Sequence, residues 1–260
     1  MFRLVKITKN ISRSNSISRI CSSKVIPSVH PDGLTRYPGI SSPNAILRTI
    51  DWAGTAAFAV SGTVTAGYAG MDLLGCEIVG TITAIGGGTV RDLLIGNAPV
   101  FWVYEYEYIL LCLATCSATL FAWKADKDGL FAEDGKLMFW TDAIGLGAFC
   151  SIGAQNGIRK GFHPVICILC GMITATFGGV IRDVLTKRPP RILHSNSEIY
   201  ATTALSGATV YLAIRSLGAS PLFRIAGGII TAVAMRYAAV EYNIRLPLAS
   251  WYNKPPTNSG

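Results

Sequence analysis

Seven stretches of the chain are apolar over a length that suits a membrane. A lipid-spanning helix takes about 20 mostly apolar residues, because the hydrocarbon core is roughly 30 Å thick. Residues 52–71 carry no charge at all. Residues 73–95 follow, interrupted by Glu77 and then, near the far end, by Arg91 and Asp92. Residues 106–123 hold only Glu107 at their edge, and residues 138–158 only Asp142. The fifth stretch runs from Gly161 to Leu185 with Arg182 and Asp183 near its end, the sixth covers 199–214, and the seventh covers 222–240 with Arg224 and Arg236 near its ends. Gly, Ala, Ser and Thr are frequent in these stretches, and small residues let helices approach closely in lipid. The pattern predicts an all-α polytopic membrane protein with seven transmembrane helices.

The chain also repeats itself. Shifted by 91 residues, Asp51–Pro99 lies on Asp142–Pro190 without a gap, and seventeen of those 49 positions are identical. Gly62 meets Gly153, Ile82-Thr83-Ala84 meets Ile173-Thr174-Ala175, Gly87-Gly88 meets Gly178-Gly179, and Arg91-Asp92 meets Arg182-Asp183. Each copy has three spans, an odd number, so the second enters the membrane from the opposite side. Inverted repeats of this kind are a transporter architecture, with sites near the midplane on interrupted helices. The expected organisation is a leader over 1–48, a first three-helix repeat over 49–125, a second over 137–216, and a seventh helix over 221–241 outside the duplication.

Composition sharpens this picture. Only 15% of residues are charged, against about 25% in soluble domains. The net charge of +8 would suggest nucleic acid, but residues 1–50 hold eight Lys/Arg against Asp32 alone. That accounts for +7 and leaves +1 for the rest, so no basic patch remains for nucleic acid. The leader is rich in Ser as well as Lys/Arg, and Phe2, Leu4, Val5 and Ile7 alternate with Arg3, Lys6 and Lys9. This is transit-peptide composition without the apolar core of a secretory signal. It predicts the mitochondrial inner membrane, with a plastid membrane as the alternative. The seven cysteines offer no metal framework: Cys112 with Cys116, and Cys167 with Cys170, sit in apolar runs and read as small hydrophobes.

Candidate chemistry concentrates in the two matched motifs, Gly86-Gly87-Gly88-Thr89-Val90-Arg91-Asp92 and Gly178-Gly179-Val180-Ile181-Arg182-Asp183. Glycine costs a helix about 1 kcal/mol each against Ala, and inside a span it favours a bend that bares backbone groups. Such backbone can hold a cation or a carboxylate. Arg91 and Arg182 suit an anionic or zwitterionic solute, Asp92 and Asp183 a cation. The competing reading is architectural: the glycines let helices pack, and each Arg pairs with a nearby acid. Asp51 and Asp142 read as N-caps of the first and fourth helices. Glu77 reads as an inward acid paired with a base.

The stretch Gly54–Trp102, with Ala59-Val60-Ser61-Gly62, Met71-Asp72, the triple glycine with Arg91-Asp92, and Pro99-Val100-Phe101-Trp102, resembles the duplicated domain of the glycine-transporter-domain membrane proteins. That family is similar in design to trimeric intracellular cation channels, and the resemblance covers residues 48–240. It implies seven helices, a homotrimer with a pore in each subunit, and second and fifth helices kinked at the glycines. Phe177 stands where a third glycine of the second motif would fall, which makes the two kinks unequal. The expected function is passage of a small solute, glycine first, along Gly86, Gly87, Gly88, Arg91, Asp92, Gly178, Gly179, Arg182 and Asp183. The alternative is a monovalent-cation (potassium) channel. Membrane lipid and the solute or cation are the expected partners. No H-E-x-x-H, nucleotide loop or paired catalytic acid is present, so no enzymatic activity, cofactor or metal is expected.

Overall fold

The computed structural model describes residues 43–126, 129–132, 135–192 and 199–245. The leader as far as residue 42, His194 and Glu198 lie outside the described residues. Among the described residues the chain is helical, with no strand. Seven helices of 16 residues or more follow one another: α1 Pro43–Tyr68, α2 Leu73–Leu94, α3 Glu107–Ala125, α4 Lys136–Arg159, α5 Pro164–Leu185, α6 Ala201–Ser216 and α7 Pro221–Glu241. A single helical turn, Phe101–Tyr104, precedes α3.

Local chemistry sets the ends. Asp72 caps α2, its carboxylate accepting the Gly75 N–H at 2.7 Å. His163 and then Pro164 open α5, Pro being at ease in a first turn that has no N–H partner to lose. At the end of α2, Gly96 takes φ +68°, so that Gly96 and Asn97 donate back to Leu93 and Asp92 at 3.2 and 2.8 Å. This is the Schellman closure, in which a left-handed residue satisfies the last carbonyls. α5 closes in the same way, but the left-handed residue is Lys187, at φ 57°.

Among the described residues five helices, α2, α3, α4, α5 and α7, are long and apolar enough to cross a membrane. This measure supports five of the seven expected spans. α6 has only 16 residues, and α1 spends many positions on Gly, Ala and Thr in place of larger apolar residues. Leu73, Leu74, Ile78, Phe121, Val165, Phe223 and Ile230 point outward, as side chains facing lipid would.

The interior is organised by reciprocal contacts between the two copies. A methyl group added at Gly87 on α2 would overlap the Thr174 carbonyl oxygen on α5, and one added at Gly178 would overlap the Thr83 carbonyl oxygen on α2. Residues rising along one helix thus meet residues falling along the other, so α2 and α5 run antiparallel where they touch. α1 and α4 meet in the same reciprocal manner. The rings of Phe58 and Phe149 lie 5.1 Å apart, and the Phe58 ring covers Gly145 as the Phe149 ring covers Gly54. α2 and α5 remain helical through their glycines. Neither crossing could close over a side chain at Gly87 or Gly178.

Two outcomes follow. Gly87→Ala or Gly178→Ala forces the helices apart, at roughly 1–3 kcal/mol or more, while Gly179→Ala, whose nearest obstacle is 3.7 Å away, stabilises α5 by up to about 1 kcal/mol. Lys187→Gly relieves a left-handed lysine and stabilises by about 1 kcal/mol. Unfolding in detergent, followed by circular dichroism against temperature or denaturant, checks both.

Candidate functional site

The last turns of α2 and α5 each carry a buried arginine beside a buried aspartate. Arg91 and Arg182 are both 3% exposed, in surroundings where a lone charge is costly. Each is neutralised by its own chain neighbour. Arg91 donates from Nε and Nη2 to Asp92 Oδ1 at 3.1 and 2.8 Å. Arg182 reaches Asp183 Oδ1 from Nε at 2.9 Å and Nη2 at 2.7 Å. The remaining nitrogen crosses to another helix: Arg91 Nη1 donates to Thr174 Oγ1 at 3.3 Å, and Arg182 Nη1 to Ser61 Oγ at 3.0 Å. The second carboxylate oxygens accept backbone N–H groups, Asp92 Oδ2 from Phe101 at 3.1 Å and Asp183 Oδ2 from Arg191 at 3.3 Å.

The predicted residues therefore fall into two kinds. Gly86, Gly87 and Gly178 converge at the crossing of α2 and α5, with Gly86 facing the Gly178 Cα. Gly88 is covered by the Phe101 ring, while Gly179, also buried, has the Arg182 Nη2 3.7 Å from where a Cβ would stand. The pairs Arg91–Asp92 and Arg182–Asp183 approach that crossing from opposite directions without meeting each other. Among the described residues no three His, Cys, Asp or Glu side chains converge on a metal-sized site. The arrangement offers hydroxyls and paired guanidiniums along an antiparallel helix pair.

Three sequence readings need correction. Asp51 and Asp142 are not N-caps, because α1 and α4 begin earlier and place them inside the helices. Each instead accepts a tyrosine hydroxyl, Asp51 from Tyr108 at 2.7 Å and Asp142 from Tyr200 at 3.0 Å. Glu77 takes the Ser117 hydroxyl at 2.8 Å where a base was expected. The tyrosines were missed because they stand 92 residues apart where the repeat stands at 91, a one-residue offset that a gap-free comparison hides. Arg236 on α7 was missed too: it lies 3.9 Å from Asp142 Oδ2 and 5.2 Å from the Tyr200 ring centroid. The cysteines read as packing groups are free and buried.

Residues 48–124 and 139–216 match the family described as glycine transporter. The chain belongs to this family. A UPF0126 membrane protein of Vibrio cholerae is 35% identical over 207 residues, covering 78% of this chain and 82% of that protein. The UPF0126 inner membrane protein YadS of Escherichia coli K12 is 34% identical over 203 residues, covering 76% and 93%. The solved TRIC trimeric intracellular cation channel orthologue from Rhodobacter sphaeroides is 36% identical, with a TM-score of 0.70 over 77% of this chain and 100% of that one. This glycine transporter family member is thus a membrane transport protein, and these relatives are membrane proteins and a channel rather than enzymes. The bacterial relatives, one of them an inner membrane protein, point to a plasma membrane. They overturn the mitochondrial inner membrane expected from the leader, and its plastid alternative. A basic leader is an ambiguous signal physically, since the same charges bind anionic lipid and orient a first span.

Breaking one pair distinguishes a buried ion pair from neutral packing. Asp92→Asn or Asp183→Asn strands a buried guanidinium and costs about 3–5 kcal/mol, whereas the paired change Arg91→Gln with Asp92→Asn costs markedly less. Thermal unfolding of the single and double variants in detergent measures the difference.

Proposed function

We propose that the protein is a channel for monovalent cations, potassium above all, built as two inverted three-helix repeats plus α7. In this reading all seven helices cross the membrane, three copies of the chain assemble, and each copy carries its own path along α2 and α5. The odd number of helices per copy and the reciprocal contacts Gly87–Thr174 and Gly178–Thr83 support the inverted arrangement. The assembly is inferred from likeness to the trimeric channel.

The observation that carries the cation reading is the state of Arg91 and Arg182. Free guanidiniums on the path would repel potassium and attract carboxylates. Here each is neutralised by its adjacent aspartate and held to a hydroxyl, so the path presents hydroxyls and carbonyls without a surplus positive charge. Gly86, Gly87, Gly88, Gly178 and Gly179 then serve by holding the helices close, with Arg91–Asp92 and Arg182–Asp183 as fixed ends of the path. Glycine passage remains the second reading, supported by the description of the family and by the presence of both signs of charge.

Flux into proteoliposomes decides between them. Potassium uptake that is charge-balanced by an ionophore, and that exceeds labelled glycine uptake, is the expected result. Gly87→Leu with Gly178→Leu abolishes it. Saturable glycine uptake without potassium flux would reverse the assignment.

A further inference from the structure

The two copies fill one matched place with opposite chemistry. On α2, Glu77, Gly80 and Thr81 stand three and four residues apart and so share a face. A Cβ added at Gly80 would overlap both the Thr63 hydroxyl on α1 and the Cys116 sulfur on α3. The Thr63 and Thr81 hydroxyls flank that sulfur, which lies 4.0 Å from the Glu77 carbonyl oxygen. The neighbouring Ser117 hydroxyl donates to Glu77 Oε1 at 2.8 Å. In the second copy the same frame is apolar. Ala154, Ile168 and Met172 stand for Thr63, Glu77 and Thr81, and the Ala208 methyl takes the place of the Cys116 sulfur, against Gly171.

Two hydroxyls of the first copy are idle. A threonine inside a helix can turn its hydroxyl back to the carbonyl one turn earlier, as Thr65, Thr83, Thr119, Thr174 and Thr176 do at 2.6–2.8 Å. Thr63 and Thr81 do not: both oxygens are buried and engage no hydrogen-bond partner. Thr63 is 0% exposed, where an unsatisfied hydroxyl is costly. Glu77 is an acid inside a span, partnered by a hydroxyl and by no base. Such a group is expensive in lipid unless opposite charge reaches it. Oxygen groups of this kind are the ligands of hard cations, and one carboxylate balances one positive charge.

We propose that this place in the first copy binds one alkali-metal cation, held by the Glu77 carboxylate with the Thr63, Thr81 and Ser117 hydroxyls. The ion neutralises Glu77, engages both idle hydroxyls and ties α1, α2 and α3 together. The second copy, with Ile168 and Met172 at the matched positions, binds none there. The site does not depend on which solute the protein passes.

Thermal unfolding of the full chain in detergent, followed by circular dichroism, provides the test. The pH and ionic strength are fixed, and the salt is sodium, potassium or N-methylglucamine chloride, the last a cation too large to enter. Sodium or potassium raises the Tm of the parent by about 2–4 °C or more over N-methylglucamine. Glu77→Gln removes that difference, and so does Thr63→Val. A hydroxyl that is only buried and unsatisfied is better removed, so without a bound ion Thr63→Val raises Tm equally in all three salts. With one, the variant gains in N-methylglucamine chloride and loses the advantage of the small cations. Equal parent Tm in the three salts overturns the site. A difference that survives in the folded variants places the ion elsewhere and overturns it too. Ser117→Ala, at a half-buried position, narrows the difference and serves where either of the other variants fails to fold.

Discussion

Where α2 crosses α5, backbone touches backbone. Gly87 lies on the Thr174 carbonyl and Gly178 on the Thr83 carbonyl, and almost every other feature is fixed by that contact. In lipid there is no hydrophobic drive between helices, so close packing of small residues has to supply the cohesion. Closing this crossing brings Arg91 within reach of Thr174 and Arg182 within reach of Ser61. It also sets α1 against α4, so that each phenylalanine of the Phe58–Phe149 pair settles over the other copy's glycine. Gly62 and Gly153 repeat the device inside each copy, lying against Gly80 and Gly171.

The sequence was most legible where it repeated itself. Helix positions followed from apolar length, and the end of α2 at Leu94 and of α5 at Leu185 fell where the Arg-Asp pairs and the turn residues stop an apolar run. The candidate residues were found because duplication marked them twice. Their state was not legible. A glycine run reads equally as a weak point or as a contact surface, and only the fold shows the Thr174 and Thr83 carbonyls lying against Gly87 and Gly178. The partners Tyr108, Tyr200 and Arg236 sit on helices remote in sequence, and one of them lies on α7, which has no repeat to point to it.

Duplication also explains what the fold can vary. Matched positions that touch each other, such as Gly87 and Gly178, are constrained in both copies at once. Matched positions that touch only their own surroundings are free to diverge. Gly96 and Lys187 fill the same closing turn, and Phe101 and Arg191 offer the same N–H to the same kind of carboxylate. These tolerated differences make the two ends of the duplicated unit unlike, where a perfectly symmetric pair of repeats would present identical ends.

Pairing each arginine with the very next residue matters while the chain is being made. The hydroxyl that receives Arg91 lies 83 residues further on and does not yet exist when α2 leaves the ribosome. Asp92 does exist, so the segment can enter the bilayer as a neutral couple, without waiting for the second half to arrive. Arg182 inherits an easier passage, because Ser61, 121 residues earlier, is already in place. The order of synthesis thus turns a nearest-neighbour ion pair into a chaperone for its own insertion.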